Sequence, residues 1–278
     1  MRDARKPLPV LYDEWRDCTR CSLSERRIEE GAPVVFGEGA PRGILFVGEG
    51  PGREEERAGR PFVGKSGHLL RDALRQLGLV DFFITNAVAC RSCGPAYNGE
   101  GKLVLRPDFR TGIPTPIIVD KPPTAEHVNA CRPRLHELIY LLDPVLIVSL
   151  GAEATRALTN KSAPITAIRG DIITIEIEGA WSVPQFTEKG RWARVVRGKL
   201  TRPTQPNKVR YSLLPVLHPA YVLRSLHDKK QGNPVQLFAQ DMQRVATLYD
   251  RYMQMTFNVS PTERAMLSDD FIRELGEE

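Results

Sequence analysis

The chain has 278 residues, 41% hydrophobic, 26% charged and 7% aromatic, with 39 Lys and Arg against 34 Asp and Glu for a formal net charge of +5. That is long enough to bury a core and too mixed for a disordered, collagen-like or fibrous protein. No apolar run approaches the roughly 18 residues a membrane helix needs, and Met1 to Pro9 is charged and proline-bearing where a secretory signal is apolar, so a cytoplasmic protein with no membrane partner is expected.

In chain order the first chemical feature is the pair Cys18-x-x-Cys21. Cys90 and Cys93 form a second such pair, and Cys131 stands alone. Without an export signal, five cysteines point to reduced thiols rather than a disulfide scaffold. Two pairs invite a zinc ribbon, but ribbons place the second knuckle about 15 to 20 residues after the first. Here 69 positions separate Cys21 from Cys90. The residues leave open a closed metal site assembled from distant segments, or buried and unligated thiols.

Short apolar runs recur at 43–48 (GILFVG), 82–86 (FFITN), 145–150 (VLIVSL), 172–177 (IITIEI) and 213–217 (LLPVL). Such continuous runs suit a sheet covered on both faces. Between them, residues 66–77 place Leu69, Leu70, Ala73, Leu74 and Leu77 on one helical stripe, and 124–142 does the same with Val128, Leu135, Leu138 and Leu142. Pro122 and Pro123 mark the start of the second helix, where Thr124 and His127 make a poor capping box. Residues 152–158 give a short third helix. The alternation predicts an α/β fold with a mainly parallel sheet and functional residues on the loops leaving the carboxyl ends of its strands.

Three stretches break this rhythm. Residues 93–121 carry scattered Gly, Pro and Asn and look like an insertion. A second insertion is expected near 179–211. Within it, residues 188–210 carry eight Lys and Arg against Glu188 alone, a net of +7, with Trp181, Phe186 and Trp192 interleaved or adjacent. From Pro261 the chain carries six acidic residues against Arg264 and Arg273, a net of −4. The modest overall charge therefore hides a local basic stretch, either the footprint of phosphate-backbone binding or a solvated charged loop. One domain over 1–250, with an acidic tail at 251–278, is expected.

Four strand ends carry candidate chemistry. The first opens into Gly48-Glu49-Gly50-Pro51-Gly52, a tight loop that lets backbone amides approach a ligand, with Glu49 in it and Glu55 just after. It meets neither the Rossmann nor the Walker spacing. Phe62, in Gly59-Arg60-Pro61-Phe62-Val63-Gly64, is either a ring for stacking on a planar ligand or a staple for its loop. Asn86 ends the second strand and either reads a base edge or caps a turn. The third ends at Leu150-Gly151-Ala152. His218, followed by Pro219, ends the last and can donate to a developing oxyanion.

Taken together, Cys18-x-x-Cys21, GEGPG at 48–52, GRPFVG at 59–64, Asn86 with Cys90, PTAEHVNACRP at 123–133, Leu150-Gly151-Ala152 and His218-Pro219-Ala220-Tyr221 resemble the uracil-DNA glycosylase superfamily, most closely its iron–sulfur branch, family four. The resemblance implies a three-layer α/β/α sandwich on a four-stranded parallel sheet, and excision of uracil flipped out of single- or double-stranded DNA. It implies that Phe62 stacks on the base, Asn86 reads its polar edge, and His218 stabilises charge on O2. Gly48 and Gly50 would line the base site, with the Gly50 amide offered to substrate, and Glu49 and Glu55 would be the catalytic carboxylates. The better-known branch has Asp where Gly50 stands, which leaves the water-positioning group open between Glu49, Glu55 and the backbone. Val222 or Leu223 would wedge into the duplex, with Arg224 on a phosphate. Cys18, Cys21, Cys90 and Cys131 would hold a [4Fe–4S] cluster, leaving Cys93 over. A monomer is expected, since no heptad pattern is present. The alternatives are a glycosylase for another modified base and a catalytically idle DNA-binding member of the fold.

Overall fold

A computed structural model describes residues 7–178, 208–226 and 233–256, together with the backbone of three short strands within 185–201. In chain order the first half comprises α1 (Leu8–Arg16), α2 (Leu23–Glu29), β1 (Glu38–Gly39), β2 (Ile44–Gly48), α3 (Arg53–Ala58), α4 (Lys65–Gln76), β3 (Phe82–Asn86), β4 (Cys93–Pro95), β5 (Leu105–Pro107), β6 (Pro114–Pro116), β7 (Ile118–Asp120) and α5 (Ala125–Leu142). The second half comprises β8 (Leu146–Leu150), α6 (Ala152–Thr159), α7 (Ile165–Ile168), β9 (Ile173–Glu178), β10 (Gln185–Phe186), β11 (Trp192–Val196), β12 (Lys199–Thr201), β13 (Lys208–Val216), α8 (Pro219–Ser225) and α9 (Pro234–Thr256).

The central sheet has six strands in the order β1-β3-β2-β8-β13-β9. Its middle four, β3, β2, β8 and β13, are parallel. The expected four-stranded parallel sheet is therefore present, flanked by antiparallel edges: β1 on β3 and β9 on β13. The run 172–177 thus forms an edge hairpin with β13 rather than another parallel strand.

Every residue of β2 is buried because helices cover both faces of the sheet. Strand alternation sends Ile44 and Phe46 into one core, with Leu70 and Leu74 of α4 and Phe238, Met242 and Val245 of α9. Leu45 and Val47 point into the other, with Leu11 of α1 and Leu135, Leu138 and Ile139 of α5. These are the three layers of the expected sandwich. Each such side chain contributes about 1.5–3 kcal/mol through burial.

Thr124 and His127 form a complete capping box. The Thr124 hydroxyl accepts the His127 amide, and the imidazole Nδ1 accepts the Thr124 amide at 3.1 Å. An imidazole thus does what Glu or Gln usually does, and the pairing read as poor from sequence is sound. His127 Nε2 also meets the Ser22 hydroxyl at 3.0 Å, which ties the start of α5 to the Cys18–Cys21 turn.

The stretch 93–121 contains two antiparallel ladders, β4 with β7 and β5 with β6. Most of the basic stretch at 188–210, with Trp181, lies outside the described residues. Residues 251–256 continue α9 as a helix, and 257–278, the rest of the expected acidic tail, lie outside the described residues. No helix among the described residues is long and apolar enough to cross a membrane.

Candidate active site

The parallel register aligns the strand ends, with Gly48 opposite Asn86 and Leu150 opposite Val216. The loops that follow β2, β3 and β13 enclose an open cleft of about 680 Å³. Glu49, Gly50, Glu55, Phe62, Asn86, His218, Leu223 and Arg224 all line it, so motifs spread over 176 positions of sequence share one cavity.

The loop bearing Phe62 is held from both sides. Glu55 Oε1 accepts the amides of Val63 and Gly64 at 3.1 and 2.9 Å. Arg71, from α4, donates to the carbonyls of Phe62 and Pro61, each at 2.9 Å. Phe62 has φ +53°, a conformation that costs a bulky side chain energy and persists only when its surroundings over-determine it. The four bonds supply that constraint. The ring is 5% exposed and lies 6.1 Å, centroid to centroid, from His218.

Gly48 is required by what surrounds it. A Cβ there would sit 2.3 Å from Asn86 Oδ1 and 2.6 Å from the Phe62 ring. The Asn86 amide and the Phe62 ring therefore converge over bare backbone at the end of β2. The β2 and β3 exits are further tied by bonds from the Ala87 amide to the Gly48 carbonyl and from the Val88 amide to the Glu49 carbonyl.

His218 is the N-cap of α8, and its Nδ1 accepts the Ala220 amide at 3.0 Å. Burial, with Arg224 adding to it, pulls the imidazole pKa down to about 4, so the ring is neutral near pH 7. With Nδ1 accepting, the single ring proton resides on Nε2, which is thereby a donor. Glu49 is shifted the other way: burial and the nearby Glu153 raise its pKa, against smaller opposing effects of Arg224 and Arg156.

One expectation needs correction. Val222 is 1% exposed and packs in the core beneath α8, so it cannot wedge into a duplex, whereas Leu223 borders the cleft. Glu55 lines the cleft and commits one carboxylate oxygen, Oε1, to the amides of Val63 and Gly64 in the Phe62 loop.

Sequence reasoning missed Lys65, Ser66, Arg53 and Lys121, which join Arg224 on the cleft wall. Lys65 and Ser66 directly follow the GRPFVG segment, and that adjacency was the available signal. Lys121 sits at the foot of the insertion. Arg71 and the Ala220 amide act on Phe62 and His218 through hydrogen bonds that no motif announces.

On the other side of the sheet ends, Cys18, Cys21, Cys90 and Cys131 lie close enough for mutual electrostatic influence. Burial and the nearby Cys131 push the Cys90 thiol up to about 12, and burial, with Cys131 and Cys18 adding to it, raises the pKa of Cys21. All four are free thiols, and among the described residues no three His, Cys, Asp or Glu side chains are grouped to hold one metal ion. Two buried arginines flank them. Arg27 donates to the carbonyls of Cys18 and Ala32, and Arg134 to those of Asn86 and Ala87. Arg27 Nε and Arg134 Nε and Nη1 are buried without hydrogen-bond partners.

Residues 36–243 match the model of the uracil DNA glycosylase superfamily. The chain is also similar to curated proteins named type-4 uracil-DNA glycosylase. The relative from Thermotoga maritima is 36% identical over 170 residues, 60% of this chain and 73% of the relative. That from Pyrobaculum aerophilum is 37% identical over 154 residues, 54% of this chain and 64% of the relative. That from Sulfurisphaera tokodaii is 33% identical over 171 residues, 59% of this chain and 64% of the relative.

Proposed function

The chain belongs to the uracil DNA glycosylase superfamily, and from that membership and the cleft we propose that it excises uracil from DNA by hydrolysing the N-glycosidic bond, leaving an abasic site. The observation that carries the reading is the convergence of Phe62, Asn86 and His218 on one cavity, with the His218 ring proton on Nε2.

Uracil reaches the cleft by rotating out of the base stack. Phe62 offers a ring to stack against it, and the Asn86 amide offers an acceptor for uracil N3–H and a donor for O4. When the bond between N1 and the sugar C1′ breaks, its electron pair passes to uracil and negative charge builds on O2. The neutral His218 donates from Nε2 to that oxygen, a contact that strengthens as the bond lengthens. A carboxylate near the sugar favours the cationic carbon, and water adds to C1′. Glu49, whose pKa is raised by burial, is suited to accept the water proton. Gly50 leaves room beside it, because a Cβ there would meet nothing nearer than Pro123 at 3.6 Å. Lys65, Lys121, Leu223 and Arg224 line the cleft; in this reading the three cations meet backbone phosphates and Leu223 fills the gap left by the base.

Cys18, Cys21, Cys90 and Cys131 are the residues that would hold a [4Fe–4S] cluster. Four thiols from three segments, beside buried guanidinium nitrogens that lack partners, fit an anionic group larger than a single ion. Such a cluster, when bound, supplies a cross-link between the α1–α2 turn, the loop after β3, and α5. The proposed form is a monomer acting on single- or double-stranded DNA.

The test is incubation with oligonucleotides carrying uracil opposite guanine, opposite adenine and unpaired, followed by alkaline scission of abasic sites. Strand scission only at uracil is expected. DNA binding with no product from any of the three would sink the enzymatic reading in favour of a binding protein. A visible absorption band that bleaches with dithionite supports the cluster, and stoichiometric zinc without iron refutes it.

A further inference from the structure

Arg134 is fully buried, at 0% exposure, on α5. It lies three residues after Cys131, so the two side chains share a helix face. Its Nη2 donates to the carbonyl of Asn86 at 2.6 Å and to that of Ala87 at 3.2 Å. Its Nε and Nη1 make no hydrogen bond, although the Cys131 thiol lies close enough to act on the guanidinium, with Cys90 and Cys18 also within electrostatic reach. Among the described residues no carboxylate forms an ion pair with it, and the titratable side chains acting on it include Cys131, Cys90 and Cys18. Leaving a buried cation uncompensated costs several kcal/mol, so this arrangement calls for an anionic partner on the unpaired side.

We propose that Arg134 is a positioning residue that couples the cysteine-held group to base recognition, with one edge of its guanidinium holding the Asn86–Ala87 backbone and the other neutralising and hydrogen-bonding the cluster's sulfurs. This rests on the cluster assignment given above. Asn86 and Cys90 bound a single short segment, and Arg134 grips that segment from the opposite helix. The base-reading amide is thereby fixed relative to the cluster through a second route besides the chain itself. Four thiolates make the ligated site anionic, and hydrogen bonds and charge at the sulfurs tune its potential. A cation held there favours the more negative, reduced form.

The experiment compares the iron-loaded parent with Arg134→Met, which keeps bulk and removes charge, and Arg134→Lys, which keeps charge and loses the fork. Each is measured for iron released to a chelator over time, for the cluster's midpoint potential, and for KM and kcat on uracil DNA. Arg134→Met is expected to lose iron about 10–100-fold faster, to show a lower midpoint potential, and to raise KM for uracil DNA. Arg134→Lys should restore the potential and only part of the KM. Should Arg134→Met fail to fold, Arg134→Lys alone decides: iron release and KM both equal to the parent's would overturn the proposal. So would a folded Arg134→Met with the parent's iron release and potential, which is the result of a purely packing role. A parent that carries zinc or no metal after anaerobic purification overturns the cluster reading itself, and this inference with it.

Discussion

His218 Nδ1 accepts the amide proton of Ala220 at 3.0 Å, and that one bond decides which face of the imidazole can donate. Because burial holds the ring's pKa near about 4, uracil release should show no inflection near the ordinary histidine value of about 6.5. His218→Ala is expected to lower kcat by about 10²–10³-fold. An inflection near 6.5 that disappears in His218→Ala would mean that the ring acts as a cation. The same shift has a stability consequence. The unfolded ring takes up its proton as pH falls through about 6.5, the folded ring only near about 4. The contribution is complete above the first value and is lost as the pH falls towards the second, so His218→Asn should flatten the decline of Tm across that window.

The acid limb of the rate profile should belong to Glu49. Burial and Glu153 raise its pKa, so the carboxylate is lost at a higher pH than an exposed glutamate would be. The rate of uracil release is expected to fall as pH drops through that raised value. Glu49→Gln should lower the rate about 10²–10⁴-fold and leave what remains independent of pH on that side. An unchanged acid limb in Glu49→Gln would assign it to another group.

Glu55 separates two roles by chemistry. As the acceptor for the Val63 and Gly64 amides it needs an oxygen and no charge. Glu55→Gln should therefore keep most of the activity, while Glu55→Ala should raise KM and destabilise the fold by about 1–3 kcal/mol through the two unpaired amides. Equal loss of kcat in both variants, with KM unchanged, would place Glu55 at the reacting centre.

How far the sequence could be read depends on where the physical signal lay. Residues 82–86 were legible as a strand because both faces of β3 are covered, and its observed bounds are Phe82–Asn86. The helix Pro234–Thr256 carries Phe238, Met242, Val245, Leu248 and Tyr252 at helical spacing, yet lies beyond the last chemical motif, where periodicity is the sole signal. The edge pairing of β9 was not legible, since its apolar run resembles that of a central strand and only the register with β13 reveals its direction. In the site, residue types at strand ends pointed to Asn86 and His218. The tautomer of His218, the clamp on Phe62 and the burial of Arg134 depend on partners 2 to 48 positions away, which no local pattern encodes. Val222 and Leu223 are neighbours of like chemistry, and only the helical phase of α8 decides which of them is buried.

The Asn86 amide lies against the bare backbone of Gly48, and base selection is the role proposed for it. Asn86→Ala should slow uracil release by about 10–100-fold, because the base's polar edge then lacks its partner, and release as fast as the parent's would remove Asn86 from base recognition. Gly48→Ala reaches the same amide from the other side. Its added Cβ would lie 2.3 Å from Asn86 Oδ1 and 2.6 Å from the Phe62 ring, so at least one of the two must move. The Asn86 backbone is held by Arg134 and the Phe62 loop by Glu55 and Arg71, so the shift falls on the Asn86 side-chain amide or on the Phe62 ring. Gly48→Ala is therefore expected to raise KM for uracil DNA and cost about 1–3 kcal/mol in chemical denaturation. Parent-like kinetics in a folded Gly48→Ala would show that neither group contacts the base in the position described.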